Sequence, residues 1–372
     1  MRALTIAAAV ALAATALPAF AHADPAPASA EPVLALPAPT GPLPVGSTSL
    51  HLKDSSRADP WVPTERRELM VSLFYPAFPT AGPRTRYLTA EESAAMLAES
   101  DLTHLPSDIF SRTRTHSAAD ARPFPRPRGL PLVVLSPGYT KPRATLTALA
   151  EDLASHGYGV AVIGHTHENY GTSFPDGRFA GCASCEVDHL PEFWEKLARG
   201  RAADVSFVLD ELLKRPGLVD PTRIAMGGHS AGGGSTVTAM QADARIRAGF
   251  DIDGRVYTPV PDTGFTRPFL FLGKYQPNSP VPACTPWQDD FGRLAGWKRW
   301  LSLTGAHHAS FTDLGLFADQ LGVDIGATVS GERAQAITRE YVGAFLDTHL
   351  REKRRPVLDR PSPHYPEVTF CG

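Results

Sequence analysis

Residues 226–235, "MGGHSAGGGS", set Ser230 among five glycines, and no other stretch constrains the fold as tightly. Gly228, Ser230 and Gly232 match the pattern G-x-S-x-G, a weak signal until its flanks are read. Upstream, "TRIAMGG" (222–228) is β-branched and apolar and ends in glycine, which is how a short buried strand reads. Downstream, "AGGGSTVTAMQADARI" reads as a helix. Strand, sharp turn and helix hold a serine in a strained backbone conformation that lifts its hydroxyl above a sheet. Glycine at 228 and 232 is then required, because a Cβ there would collide with the neighbouring strand or helix. Gly233 and Gly234 fit the same crowding. Since glycine inside a helix costs about 1 kcal/mol relative to alanine, helix propensity does not account for the run.

The rest of the chain supplies the sheet that such a turn needs. "RRELMVSLFYPA" (66–77) alternates like an early antiparallel strand, and "GLPLVVLSPG" (129–138) is a continuous apolar run, the pattern of a parallel strand buried on both faces. "RATLTALAEDLASHG" follows with apolar residues at helical spacing and Gly157 placed to cap the C-terminus. The strand "YGVAVIGH" and the helix "RAADVSFVLDELLKR" lead to "TRIAMGG"; after the turn come the strands "RAGFDID", "RPFLFLGK" and "KRWLSLTGAHH" and a C-terminal helix. Alternating strands and helices predict an α/β chain with a doubly wound, mostly parallel sheet, and reactive groups beyond the carboxyl ends of its strands.

A serine hydroxyl needs a base to take its proton and an acid to orient that base. Asp253 ends the strand "GFDID" and precedes Gly254, which puts its carboxylate in the loop over the sheet; Asp251 lies one pleat back and too deep. His307 and His308 follow a late strand, whereas His349 falls in the C-terminal helix and His364 in the tail. Chemistry alone leaves the neighbouring pair open. Two preorganised N–H donors must meet the developing oxyanion. The amide of Ala231, directly after the serine, and that of Tyr139, in the loop after "PLVVLSPG", are the candidates.

Composition bounds the partners. A net charge of −3 over 372 residues, with no long basic patch, argues against a nucleic-acid partner. His165 and His167 form an H-x-H pair that, with His307 and His308, invites a zinc reading, but no H-E-x-x-H or comparable ligand set accompanies it, so neither a metal nor a cofactor is expected. "MRALTIAAAVALAATALPAFAHA" has Arg2, an apolar stretch and small residues at Ala21 and Ala23, as a secretory signal peptide does. The expected organisation is a signal over residues 1–23, an Ala/Pro-rich lead-in over 24–36, and one catalytic domain over 37–372. Export to an oxidising compartment makes two disulfides expected from Cys182, Cys185, Cys284 and Cys371. Three pairings exist, and the favoured one joins Cys182 to Cys185 and Cys284 to Cys371.

With these residues placed, the sequence resembles the platelet-activating factor acetylhydrolase family, in its secreted and bacterial α/β-hydrolase branch. The resemblance is carried by "LPAPTGPLPVGSTSLHL", "DPW", "RRELMVSLFYPA", "PLVVLSPGYTKPRATL", "GHSAGGGS", "FDIDG" and "HHASFTDL". The family pattern of histidine, two further residues and then Phe-x-Asp fits His308 with Phe311 and Asp313, which selects His308 over His307, and the family's catalytic acid matches Asp253. Pro137 departs from the pattern, since many relatives carry histidine before the oxyanion-loop glycine. The resemblance implies a calcium-independent serine esterase that removes short acyl groups, acetyl above all, from phospholipids, with transient contact to a lipid surface. Similar bacterial proteins also look like general carboxylesterases, lipases or cutinase-like polyester hydrolases. A non-catalytic lipid-binding relative would not need Ser230, Asp253 and His308 together. Trp287, Phe291 and Trp297, in the insertion 275–297, are read either as the wall of an acyl pocket or lid, or as plain packing. Oligomeric state is not legible.

Overall fold

Strand β4 (Leu130–Ser136) shows why the centre of the sheet reads as an unbroken apolar run. Leu132 and Val134 enter the core on one face while Val133 and Leu135 enter the core on the other, so every residue is buried. The computed structural model describes residues 33–372 apart from 280, 281 and 283. The expected signal peptide and most of the lead-in lie outside the described residues. Val33–Leu36 pack with the rest of the described chain, with Leu34 and Leu36 buried and Ala35 bridged to Arg114.

Along the chain the strands are β1 (Val45–Ala58), β2 (Arg66–Pro76), β3 (Ala118–Ala119), β4, β5 (Gly159–His165), β6 (Thr172–Ser173), β7 (Phe179–Ala180), β8 (Val219–His229), β9 (Ile246–Ile252), β10 (Phe269–Tyr275), β11 (Lys298–Thr304) and β12 (Val368–Phe370). β6 and β7 form a separate hairpin, and the other ten make one sheet in the order β12-β11-β10-β9-β8-β4-β5-β2-β1-β3. From β11 across to β5 all pairs are parallel, while β12, β2 and β1 join antiparallel. The fold is that of an α/β-hydrolase, doubly wound and mostly parallel.

The helices are α1 (Ala90–Glu99), α2 (Thr147–Ser155), α3 (Phe193–Leu213), α4 (Ala231–Gly234), α5 (Thr236–Ala242), α6 (Gln288–Arg293), α7 (Asp313–Leu321) and α8 (Gly331–Arg351). α3 and α5 cover the face that carries Leu132 and Met226, and α2 and α8 cover the face that carries Val133 and Ala225. From β4 the chain winds outward through β5, and from β8 it winds the opposite way through β9, β10 and β11. The crevice where the winding reverses therefore opens between the ends of β4 and β8, the place where such sheets bind ligands. Both expected disulfides form, Cys182 with Cys185 and Cys284 with Cys371. No described helix is long and apolar enough to cross a membrane.

Candidate active site

At the end of β8 the backbone turns sharply at Ser230, whose φ of 54° is a conformation that residues with a Cβ rarely adopt. The turn is held on both sides: the Ser230 amide donates to the carbonyl of Ile252 at 2.8 Å, and the Ser230 carbonyl accepts from the Gly234 amide at 2.9 Å. A Cβ on Gly228 or Gly232 would strike the carbonyl oxygen of Ser136 on β4. On Gly233 it would strike the Asp251 carboxyl, and on Gly234 the carbonyl of Arg255. Crowding thus explains the glycine run, by backbone at Gly228, Gly232 and Gly234 and by the Phe250 and Asp251 side chains at Gly227 and Gly233. Ala231 occupies the first position of α4, where helix geometry offers its N–H no acceptor.

Asp253 follows β9 with a φ of 51°, so acid and serine both sit on strained turns at strand ends. His308 Nδ1 donates to Asp253 Oδ2 at 2.5 Å. The same carboxylate accepts the Lys274 amide at 3.0 Å and lies 3.1 Å from the Lys274 ammonium. Burial alone would raise the pKa of Asp253, but the His308 hydrogen bond and the Lys274 charge outweigh it and hold the group ionised below its usual value. Asp251 is the opposite case. It is fully buried, its pKa is pushed well above the usual carboxylate range by burial, and it supports the Asp253 loop by accepting the Gly254 amide at 2.8 Å.

His307 turns away from this pair and caps the short turn that follows, its Nδ1 accepting the Ala309 amide at 3.2 Å. Asp313 lies fully buried at the N-terminus of α2, where it accepts the amides of Thr147 and Ala148. This carboxyl ties α7, directly after the His308 turn, to α2. Sequence reasoning passed over His229 inside the glycine turn. Its Nε2 donates to the His308 carbonyl at 2.8 Å, the two rings lie 4.4 Å apart, and burial followed by repulsion from His308 lowers its pKa to about 3.

Gly138 closes the other side of the crevice: a Cβ built there would lie 3.4 Å from the Ser230 Cβ. Thr140 donates its amide to the carbonyl of Glu168, and Lys141 donates to that of Gly138. Among the described residues no acceptor takes the Tyr139 amide. The Tyr139 ring is packed by Phe193, and its hydroxyl lies against the Cys182–Cys185 staple, 3.4 Å from the Cys185 sulfur.

A second cluster, also missed from sequence, underlies this loop. Arg201, from α3, donates to the Pro137 carbonyl at 2.5 Å, to the Ser136 hydroxyl at 3.1 Å and to Glu168 at 2.7 Å. Ser136 also meets His165 Nε2 at 2.9 Å, and His165 Nδ1 meets Asp204 at 2.8 Å. Arg67 grips Asp204 with two nitrogens and Asp59 with one, while the Trp61 indole donates to Glu168. The roles of Asp59 and Trp61 in "DPW", and of His165 and Glu168, are thereby explained. The histidines of the zinc reading have separate partners, His165 in this cluster and His167 beside Glu65 at 3.4 Å. Trp287, Phe291 and Trp297 correct the pocket-wall reading. Trp287 is buried, stacks on Phe271 and donates to the Gly254 carbonyl; Phe291 packs on Trp300. Trp297 precedes β11 at the opposite end of the sheet, against Phe345 and His349. All three are packing.

A family described as "Platelet-activating factor acetylhydrolase, isoform II" matches residues 28–175. A "Probable 1-alkyl-2-acetylglycerophosphocholine esterase" of Arthroderma benhamiae is 29% identical over 86% of this chain and 89% of its own. The platelet-activating factor acetylhydrolase of Bos taurus is 25% identical over 59% of this chain and 57% of its own. Among solved structures, a ferulic acid esterase from Streptomyces cinnamoneus superposes with a TM-score of 0.82 at 41% identity, covering 91% of this chain and 99% of that one.

Proposed function

We propose, from the premise that the chain belongs to the platelet-activating factor acetylhydrolase family and is a carboxylic ester hydrolase, that Ser230 is its nucleophile, His308 its general base and Asp253 the acid that orients His308. The observation that carries this assignment is the Asp253–His308 hydrogen bond of 2.5 Å beside the strained Ser230 turn, at the switch point of the sheet. His308 Nε2 takes the hydroxyl proton as Ser230 Oγ attacks the ester carbonyl. The oxyanion forms toward the amides of Ala231 and Tyr139. His308 then returns the proton to the leaving alcohol, and water repeats the sequence to free the acid and Ser230. Nucleophile and charge stabilisation both come from the chain, so the chemistry requires no metal or cofactor.

The substrate reading is an ester with a short acyl group, acetyl foremost, carried on a glycerophospholipid. The family and the Arthroderma benhamiae relative support it. The 41% identity to a ferulic acid esterase favours a second reading, an ester of a phenolic acid. Kinetics on a 2-acetyl phosphatidylcholine, methyl ferulate and p-nitrophenyl acetate, butyrate, octanoate and palmitate separate the readings. A maximum at octanoate or beyond removes the short-acyl reading, and activity on simple acetates without activity on the phospholipid leaves a general carboxylesterase. Fluorophosphonate labelling at any serine but Ser230 removes the nucleophile assignment. We also place the mature protein outside the cell, with residues 1–23 as its signal; the two disulfides suit that compartment. N-terminal sequencing of secreted material tests it.

A further inference from the structure

Four aromatic rings from three separate segments meet beside the crevice. Tyr139 comes from the loop after β4, Phe193 and Trp194 from the first turn of α3, and Tyr257 from the segment after Asp253. Tyr139 meets Phe193 at 5.2 Å and Trp194 at 5.4 Å between centroids, both edge to face. Phe193 meets Trp194 at 5.0 Å, also edge to face, and Trp194 stacks on Tyr257 at 5.0 Å with only 10° between the planes. Phe193 is buried and forms the floor, where it packs with Leu197 and with Ala231, the residue after Ser230. The cluster therefore touches both proposed oxyanion donors, Ala231 and Tyr139.

Trp194 nevertheless keeps 36% of its surface exposed. Its ring is fixed by three neighbours, so the part of its surface that remains open to solvent is already held in place. Such a surface stacks a planar ring with little ordering cost, whereas a flexible acyl chain must be straightened against it. We propose that Trp194, braced by Tyr257, is a stacking subsite for an aromatic ring of the ester substrate, next to the scissile carbonyl. The inference rests on the esterase reading of Ser230. The shared chemistry is a planar ring, on either the acyl or the alcohol side.

Two matched substrate pairs distinguish the sides: ethyl cinnamate against ethyl hexanoate, and benzyl acetate against butyl acetate. In one pair, Trp194→Ala lowers the ratio of kcat/KM for the ring-bearing ester over its aliphatic partner about tenfold, chiefly through KM, and Trp194→Phe restores most of it. Ratios unchanged in both pairs overturn the subsite. Calorimetric titration of cinnamate and benzyl alcohol into Ser230→Ala gives a readout that needs no turnover. Binding of either ligand that is lost on adding Trp194→Ala supports the subsite even if the wild type hydrolyses none of the four esters, a result that would sink the esterase reading alone. Binding of both that is indifferent to Trp194→Ala, or binding of neither, overturns the subsite.

Discussion

Two Ser, His and Asp sets lie on either side of the same crevice, and the one with the more complete hydrogen bonding is not the proposed catalytic one. Ser136, His165 and Asp204 are linked at 2.9 and 2.8 Å, serine to imidazole to carboxylate. All three are at most 1% exposed, and Asp204 is gripped by the buried Arg67. Ser230, His308 and Asp253 occupy turns at strand ends, and the His308 side chain is 38% exposed. The sets are close enough that the Ser136 carbonyl is what excludes a side chain from Gly228 and Gly232. Connectivity alone does not make a nucleophile. Access for a substrate and a turn that presents the hydroxyl separate the open set from the buried one, whose arginines make it a strut beneath the oxyanion loop.

The sharpest way to break this comparison is to remove each serine. Ser230→Ala is expected to lower kcat by roughly 10⁴- to 10⁶-fold with little change in Tm. Ser136→Ala is expected to cost about 1 to 2 kcal/mol of stability through the partners left on His165 and Arg201, while most of the activity survives. Equal loss of kcat in a folded Ser136→Ala enzyme would merge the two sets. For the bases, His308→Ala should lose on the order of 10³-fold or more in kcat and His307→Ala far less. The reverse result would move the base to His307.

Next in size is the strut itself. Asp204 is drawn below its ordinary carboxylate pKa because the Arg67 charge and the hydrogen bonds from His165 and Arg67 outweigh a large burial cost. Asp204→Asn leaves Arg67 with only Asp59 and the more distant Glu168 as carboxylate partners, and breaking one partner of a buried pair costs about 3 to 5 kcal/mol. The sign with pH follows from the lowered value. The stability that the ionised Asp204 contributes is complete above the unfolded carboxyl value near about 4, and it is lost as pH falls from there toward the folded value. Denaturant melts at successively lower pH should show the wild type converging on the variant. Curves that stay parallel would mean Asp204 is not the group titrating.

The open set was largely legible in the sequence because its residues stand at element ends with local marks, glycines around Ser230, Gly254 after Asp253 and a strand before the His307–His308 pair, within which only the family resemblance at Phe311 and Asp313 favoured His308. The buried set left no such mark. Arg201 and Asp204 sit three apart in α3 and read as ordinary helix-surface charges, and Arg67 lies 137 positions from Asp204. Pairing over that distance has no periodicity to reveal it. α1 was also missed, although Thr89 and Glu92 form a capping box at its start. The aromatics of 275–297 left pocket wall and packing both open, since ring content says neither that a ring is buried, as Trp287 is, nor which end of a strand it falls on, as with Trp297. Leu34 and Leu36 were lost in the composition of an Ala/Pro-rich stretch.

The smallest expected effect concerns His229, which stands between the two sets in character, buried like His165 but in contact with His308. Burial holds it neutral down to about pH 3, so its one ring proton resides on Nε2, where it meets the His308 carbonyl at 2.8 Å. A neutral hydrogen bond to a backbone carbonyl is worth about 1 kcal/mol. His229→Leu should therefore lower kcat by roughly five- to tenfold with KM little changed, and His229→Gln, which keeps a donor, should lose less. Because His229 carries no charge through the working range, the acid limb of the wild-type rate profile belongs to another group and should keep its midpoint in His229→Leu. Stability behaves differently. The folded pKa is lowered, so the wild type loses stability as pH falls from the unfolded imidazole value near about 6.5 toward about 3, and that part of its acid sensitivity should disappear in His229→Gln. A rate midpoint that moves, with an acid-stability profile that does not, would reverse the assignment and make His229 a titrating partner of the reaction.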